Sequence, residues 1–352
     1  MYEPSMSPAL TWVGEPGYWL VDDPDLSRQV LTTDSFSSST LTPSFDRFVS
    51  ERVKEECAFL LDVLSRWFVD QDPPEHTAER RLCQPHFSRG LLDQLAPDIR
   101  RIVVEVMDSL PDHPDAVTDI SRPISARVIG LALGMGDVDA AVLHRWSDDI
   151  ARFVGAVYRA DYAAAAQRSV MEMADFVERH LTVRGDAGPI GPYRGSDRRQ
   201  NIAAHTMMLF GGLETSARLL SQLIWAVTTR ERTNRAGIDD VDDIIDRVIR
   251  RFPPIKFVTR ISAADVDLHG TTVRKGDLVL VSLTSATDGP APALAFGAGR
   301  HFCLGMTLTL LEARIVLEEF LARYPEALVD TDGVGPSDNS LYHGFERLPL
   351  RL

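Results

Sequence analysis

Apolar residues along this chain recur mostly at the three- and four-residue spacing of helices, and alternating, strand-like runs are confined to its two ends. Near the N-terminus, Tyr18-Trp19-Leu20-Val21 reads as a strand and Asp25–Leu31 as a short helix. Residues 45–69 predict one helix, because Phe48, Val53, Ala58, Phe59, Leu61, Leu64 and Phe68 fall mostly on one face. Asp72-Pro73-Pro74-Glu75 marks the next helix start. Asp can cap the end, Pro fits the first turn, and Glu three residues on completes a capping box. Helical patterns continue over 93–110, 119–134, 138–158 and 162–182. Arg184–Ser196 carries four glycines and two prolines and is predicted to be a loop. A long helix is expected over 198–229, and another over 239–251 stops before Pro253-Pro254. The pattern then changes. Val266–Leu268, Thr271–Val273 and Leu278–Leu283 read as short strands around the Gly270 and Gly276 turns, a helix follows at 304–323, and the tail from Leu341 predicts a hairpin. No internal repeat or low-complexity linker interrupts this order. The expected architecture is mainly α with small β-sheets, in one domain spanning 1–352.

Composition narrows the functional classes. Hydrophobic residues make up 44% of 352, enough for a large core. Lys and Arg number 37 against 51 Asp and Glu, a net charge of −14, which argues against nucleic acid binding over the whole surface. No run of eighteen apolar residues predicts a membrane span. The opening Met1-Tyr-Glu-Pro-Ser-Met-Ser-Pro-Ala-Leu10 lacks the basic and apolar regions of a signal peptide. Cys57, Cys83 and Cys303 form neither a disulfide framework nor a zinc pattern. These features predict a soluble cytoplasmic protein.

One cysteine stands apart. Cys303 lies between a glycine-rich loop and an apolar helix, in Ala295-Phe-Gly-Ala-Gly-Arg-His-Phe-Cys-Leu-Gly-Met306. A thiolate is a soft metal ligand, and a helix start favours its anionic form. Gly297, Gly299 and Gly305 remove side chains that would collide with a large flat group and allow positive φ. Arg300 and His301 are donors suited to carboxylates. Taken alone, a cysteine before a helix is more often a small buried core residue, and it is the full pattern that reverses this.

The full stretch Phe296–Gly305 resembles the haem-binding loop of the cytochrome P-450 enzymes, F-G-x-G-x-H-x-C-x-G. The resemblance implies haem b, with Cys303 as its axial thiolate ligand and His301 facing a propionate. Thiolate donation favours cleavage of an iron-bound O–O bond. Three further stretches match the family in the required order. His76-Thr-Ala-Glu-Arg80 places His76 and Arg80 on one helix face, where the family binds haem carboxylates. Phe210-Gly-Gly-Leu-Glu-Thr-Ser-Ala217 resembles the kinked helix over the haem. It puts Gly212 at the cofactor and makes Glu214 and Thr215 the acid–alcohol pair that relays protons to oxygen. Arg260, after the double proline, corresponds to another propionate-binding arginine. Residues 255–259 would line the pocket, with Lys256 turned outward. The resemblance covers nearly the whole chain.

The chain also departs from the family. The Glu of its E-x-x-R motif is replaced by Arg247, leaving Asp246 four residues before Arg250 as a substitute partner. Between the 278–283 strand and the haem loop only Thr284–Ala293 remains of a longer family segment, which includes the outer arginine of that network. Arg80, Arg81, Arg89, Arg247, Arg251 and Arg300 are candidates for a basic patch that docks an acidic ferredoxin.

The resemblance implies a monooxygenase acting on a small, mainly apolar substrate, free or carried on a carrier protein, in bacterial secondary-metabolite tailoring. Two alternatives stand beside it. One is a haem-thiolate enzyme of another type, such as oxidative coupling, ring formation or peroxide-driven oxidation. The other is a non-catalytic auxiliary scaffold, against which the retained Cys303, His301, His76, Arg80 and Arg260 argue. The pocket is expected to draw on residues 39–70, the helices at 138–182, Met207–Gly212, residues 255–259 and Leu341.

Overall fold

The computed structural model describes residues 9–15, 17–136, 139–184, 197–229, 240–284 and 294–352. The predicted loop at 185–196 and most of the shortened segment, 285–293, lie outside these residues.

A central helix, Arg198–Thr228, organises the helical part. It is buried along most of its length and on nearly every side, which is the signature of a helix enclosed by its neighbours. Around it pack Arg122–Ala132, Ala140–Gly155, Ala160–Arg184, Val241–Arg251 and Met306–Arg323. Asp139 caps its helix by accepting from the Ala141 and Val142 amides at 2.9 and 3.2 Å, satisfying donors that would otherwise be orphaned.

The one helix predicted over 45–69 is three, Leu41–Phe48, Glu51–Glu56 and Ala58–Ser65, followed by a 3-10 turn at Phe68–Asp70. Ser50 is the reason for the first break. Its backbone is extended and its side chain accepts from Val53 N, so it starts a new helix. The capping box at 72–75 does not form either. Asp72 accepts from Ser37 Oγ at 2.5 Å and Ser38 N at 3.1 Å, so it pins the entry of residues 38–41, and helix Glu75–Cys83 starts without a side-chain cap.

The principal sheet joins the chain's two ends. Its strand order is Leu10–Val13, Tyr18–Val21, Leu278–Ser282, Phe257–Ser262 and Phe36–Ser37. Trp19, Leu20 and Val21 run parallel to Val279, Leu280 and Val281. The strand Phe257–Ser262 was not expected from the sequence, and it carries Arg260 opposite Val279. The tail does not fold into a hairpin of its own. Phe345–Arg347 pairs with Gly335–Pro336, and Leu350–Arg351 pairs with Leu328–Val329.

Two apolar cores result. One is the helical core around the central helix, and the other surrounds the sheet through Val21, Val30, Leu31, Val279 and Val281. The Cys303 loop joins them. Leu294 and Ala298 belong to the sheet core, while Ala295, Phe296 and Leu304 pack on the helical core. The loop is therefore clamped from both sides, which fixes Cys303 relative to the central helix.

Candidate haem-thiolate site

An apolar cavity lies between the central helix and the Cys303 loop. Met207, Met208, Phe210, Gly211 and Thr215 form its roof, Cys303 lies on the opposite wall, and Arg80, Arg260 and His301 line one side. Phe68, Val69, Phe87, Ile255, Val258 and Tyr342 complete the apolar lining. The helices expected at 138–182 do not reach it. Ser125, Val128 and Ile129 of the neighbouring helix take that place.

The loop's glycines have distinct reasons. Gly297 and Gly299 both have φ of +70°, and a Cβ on Gly299 would come within 2.8 Å of the Leu31 carbonyl. Gly305 ends the loop, and a Cβ there would stand 3.9 Å from Cys303 Sγ. The Cys303 amide donates to Phe296 O at 2.8 Å, closing the loop on itself. Gly305 is the N-cap of helix Met306–Arg323 and supplies no capping side chain, so free amides face the sulfur. Burial pushes the Cys303 thiol up, while the Gly305 amide, Arg80 and the Met306 amide pull it back.

The donors beside the loop are short of acceptors. Among the described residues, both ring nitrogens of His76 and Nε2 of His301 are buried without a hydrogen-bond partner, and the two rings sit 4.0 Å apart. Arg80 Nη2 donates to Phe302 O at 2.7 Å, so it turns inward and does not join a surface patch. Arg260 is buried, and its one side-chain hydrogen bond among the described residues goes to the adjacent Thr259 carbonyl at 2.8 Å. Burial lowers Arg260 to about 10, only partly offset by Asp72 and Asp70. His301 is driven down to about 3 by burial first, then by His76, Arg260, Arg300 and Arg80. Buried donors with no acceptor are costly, and these would be satisfied by an anionic group entering the cavity. A flat, apolar diacid with a soft metal at its centre suits this lining, so the residues present fit haem b. That group would set its propionates among His76, Arg80, Arg260 and His301, and its iron against Cys303.

The central helix divides its predicted residues. Gly211 has open space beyond it, whereas a Cβ on Gly212 would meet Ile129 Cδ1 at 2.6 Å. Gly212 therefore borders the cavity, but its missing side chain makes room for a packed helix and not for a cofactor. Thr215 lines the cavity and donates to the Gly211 carbonyl at 2.5 Å, within an unbroken helix. Glu214 turns the other way, as neighbours separated by about 100° of helix must. Its carboxylate accepts from His144 Nδ1 at 2.6 Å and lies 3.3 Å from Arg218 Nε, fully inside the protein. The acid and the alcohol are thus not brought together.

Several polar groups at or near the site were not anticipated. Asp70 accepts from the Thr40 and Leu41 amides at 2.8 and 3.0 Å, and burial raises it to about 7. Glu312 lines the cavity with Oε1 unpartnered, and burial raises it to about 8 against a hydrogen bond from Ser216. Its signal was present: Leu308, Glu312 and Ile315 stand at i, i+4 and i+7, a carboxylate on an apolar stripe. Lys256 neither turns to solvent nor enters the cavity, because Nζ donates to Asn339 O at 2.7 Å.

Relatives agree with this geometry. The chain is 28% identical to "Cytochrome P450 monooxygenase PikC" of Streptomyces venezuelae over 372 residues, covering 95% of this chain and 85% of that protein. It is 27% identical to "Cytochrome P450 119" of Sulfolobus acidocaldarius, covering 95% and 94%. Among solved structures, P450BioI in complex with an acyl carrier protein superposes with a TM-score of 0.88 at 19% identity, over 98% of this chain and 95% of that one. CalO2 superposes at 0.85 with 22% identity, over 97% and 92%. No family model matches the chain.

The relatives and the fold alike are those of the cytochrome P450 superfamily. The chain has the P450 fold, with the cavity between the central helix and the Cys loop, and it is an oxidoreductase of the monooxygenase class with haem b as cofactor. As a P450 it lacks the E-x-x-R carboxylate, and Asp246 replaces it locally. Arg250 Nε donates to Asp246 Oδ2 at 2.6 Å. Of the expected ferredoxin-docking cations, Arg81, Arg89, Arg247 and Arg251 are exposed, while Arg300 pairs with Asp34. No described helix is long and apolar enough to cross a membrane.

Proposed function

We propose that this P450 inserts one oxygen atom into a small, mainly apolar organic substrate, as a single cytoplasmic domain tailoring a bacterial secondary metabolite with electrons from a ferredoxin-type donor. The observation that carries the proposal is the ring of buried, acceptor-poor donors, His76, His301 and Arg260, around an apolar cavity that opens onto Cys303. When bound, the haem supplies dioxygen activation through its thiolate-ligated iron. The protein's residues do the rest. Cys303 would hold the haem iron through its thiolate, placed by the Gly297 and Gly299 turns and by the free amides at Gly305 and Met306. His76, Arg80, Arg260 and His301 would hold the propionates. Phe296 packs the loop against the helical core. Met207, Met208, Ile255 and Val258 exclude water and select apolar substrates. Thr215 holds a hydroxyl over the cavity, where it orders water, and Glu214 supplies the buried charge behind it.

The test is the spectrum of the reduced protein with carbon monoxide. The wild type is expected to give the thiolate-ligated band and Cys303→Ser to lose it. A wild type without that band overturns the proposal. A panel of apolar ligands, free and carrier-bound, scored for the spin-state shift would then identify the substrate class; P450BioI was crystallised with an acyl carrier protein.

A second reading is favoured by the Glu214 carboxylate, which faces His144 and not the cavity. If no proton reaches the cavity from it, peroxide would replace dioxygen and the electron donor. Turnover with peroxide exceeding turnover with reduced ferredoxin would select that reading.

A further inference from the structure

The donors around the cavity come from separate parts of the fold. His76 and Arg80 stand on helix Glu75–Cys83, Arg260 on strand Phe257–Ser262 and His301 on the Cys303 loop. Such a set can grip a diacid only while its elements keep their spacing. Asp72 reaches two of them. Its carbonyl accepts from the His76 amide at 3.0 Å, at the start of the helix. Its carboxylate accepts from Ser37 Oγ at 2.5 Å and from Ser38 N at 3.1 Å. Ser37 in turn pairs with Ile261, the neighbour of Arg260, in the strand ladder. One residue thus connects the backbone of His76 to the strand of Arg260.

The tie leaves the donors open. Both oxygens of the Asp72 carboxylate are taken by the serines, while the ring nitrogens of His76 stay without a partner. The carboxylate still acts on both arms through its charge: burial lowers His76 and Arg260, and Asp72 opposes burial at each. Asp70 grips the same segment independently, accepting from the Thr40 amide at 2.8 Å and the Leu41 amide at 3.0 Å. Residues 37–41 are therefore held at two points, and only the grip of Asp72 runs directly into the His76 helix.

We propose that Asp72 is a positioning residue for the haem site: through Ser37 it ties the helix of His76 and Arg80 to the strand of Arg260, and so sets the spacing of the propionate donors before haem enters. The proposal rests on the haem-thiolate reading above. Charge and hydrogen bonding at Asp72 act in opposite directions. An anion beside a site for propionates repels them, so its charge alone weakens haem binding. Its hydrogen bonds hold the donors in place, as supporting partners do for the groups that grip a metal centre. Removing the charge while keeping the bonds therefore separates the two.

The test measures the rate of haem loss from the loaded protein to an excess of apomyoglobin, for wild type, Asp72→Ala, Asp72→Asn and Ser37→Ala. Asp72→Ala is expected to lose haem about tenfold faster. Ser37→Ala should move in the same direction by less, because the Ser38 amide keeps its acceptor. Asn can accept from Ser38 N and donate to Ser37 Oγ, so Asp72→Asn should retain haem as long as wild type or longer. In an Arg260→Met background, Asp72→Ala should add less than it does in wild type, since one of the donors it positions is gone. The grip of Asp70 on Thr40 and Leu41 should keep Asp72→Ala folded; if it does not fold, Ser37→Ala and Asp72→Asn decide. Asp72→Ala retaining haem like wild type, Asp72→Asn losing it as fast as Asp72→Ala, or an undiminished effect in the Arg260→Met background each overturns the positioning role. A wild type that takes up no haem, or lacks the thiolate band, overturns the functional reading instead.

Discussion

The central helix has buried charge on both of its sides, and the two sides are built on opposite rules. Away from the cavity, opposite charges face one another, Glu214 beside Arg218 and Asp148 beside Arg122 and Arg218, with His144 on Glu214, although Arg218 Nε and Nη1 and Arg122 Nε make no hydrogen bond. Arg218 also lies over the Tyr342 ring at 5.1 Å. Toward the cavity, His76, His301 and Arg260 find almost no acceptor, and one oxygen of Glu312 has no donor. A charge-paired cluster has its counter-charges within the chain and holds helices in register. An unsatisfied cluster is costly in the chain alone and is made whole only by what binds there. Burial does not separate the two, since both are buried. The counter-charge within reach does, and it puts the cofactor on the cavity side.

Breaking the paired side should have the largest effect on stability. Arg218→Met removes a cation whose side chain is only 4% exposed and leaves Glu214 with His144 alone. The expected loss is about 3–5 kcal/mol, measured by urea unfolding. A loss below about 1 kcal/mol would mean that the cluster is no tighter than a surface pair.

On the cavity side, Glu312 makes stability depend on pH. Its folded value is about 8 against an ordinary 4.5. Below pH 4.5 both states are protonated and nothing is lost. Above it the unfolded chain releases the proton while the folded chain keeps it, so stability falls as pH rises, and the fall is complete once the folded carboxyl ionises. Asp70, raised to about 7, adds to the lower part of that window. Glu312→Gln should abolish the decline between pH 7 and 8 and raise stability at pH 8 by on the order of 3 kcal/mol. Denaturant midpoints at pH 5, 7 and 8 would check both the slope and its sign.

Arg260 gives the sharper contrast, because its removal should change haem binding and apo-protein stability in opposite directions. Arg260→Met removes a poorly paired buried cation, so the haem-free protein should unfold at the same denaturant concentration or a higher one. The same change removes a propionate partner and should weaken haem binding by about 10- to 100-fold. Haem titration of the apo-protein beside its unfolding curve reads both. If both quantities fall together, Arg260 is a structural residue.

The same contrast explains what the sequence could show. Chemistry that depends on local spacing was legible. The Cys303 loop, the i and i+4 pair His76 and Arg80, and the bond from Thr215 back to Gly211 are contained within a few residues each. Pairings set by tertiary contact were not. Glu214 and His144 are 70 residues apart, and no local pattern orients the acid away from Thr215. The Phe257–Ser262 strand was hidden because its partners are Leu278–Ser282 and the remote Phe36–Ser37. Asp72 reads as a helix cap from its neighbours alone, yet in the fold Ser37 and Ser38, more than thirty residues earlier, take both of its oxygens.

The smallest expected effect concerns the lost Glu–Arg network. In the P450 pattern, the arginine of E-x-x-R has a carboxylate three residues before it, and here that position is Arg247. Asp246 moves the acid one residue further back, still on the same helix face, and its oxygen lies 2.6 Å from Arg250 Nε. The side chains are 58% and 25% exposed respectively, so water screens the pair. Asp246→Asn should therefore cost about 0.3–0.5 kcal/mol, the ordinary value for an i,i+4 pair on a helix surface, and should leave the carbon monoxide band intact. If Asp246→Asn instead costs several kcal/mol or abolishes haem retention, the substitute pair has taken over the anchoring work of the missing network.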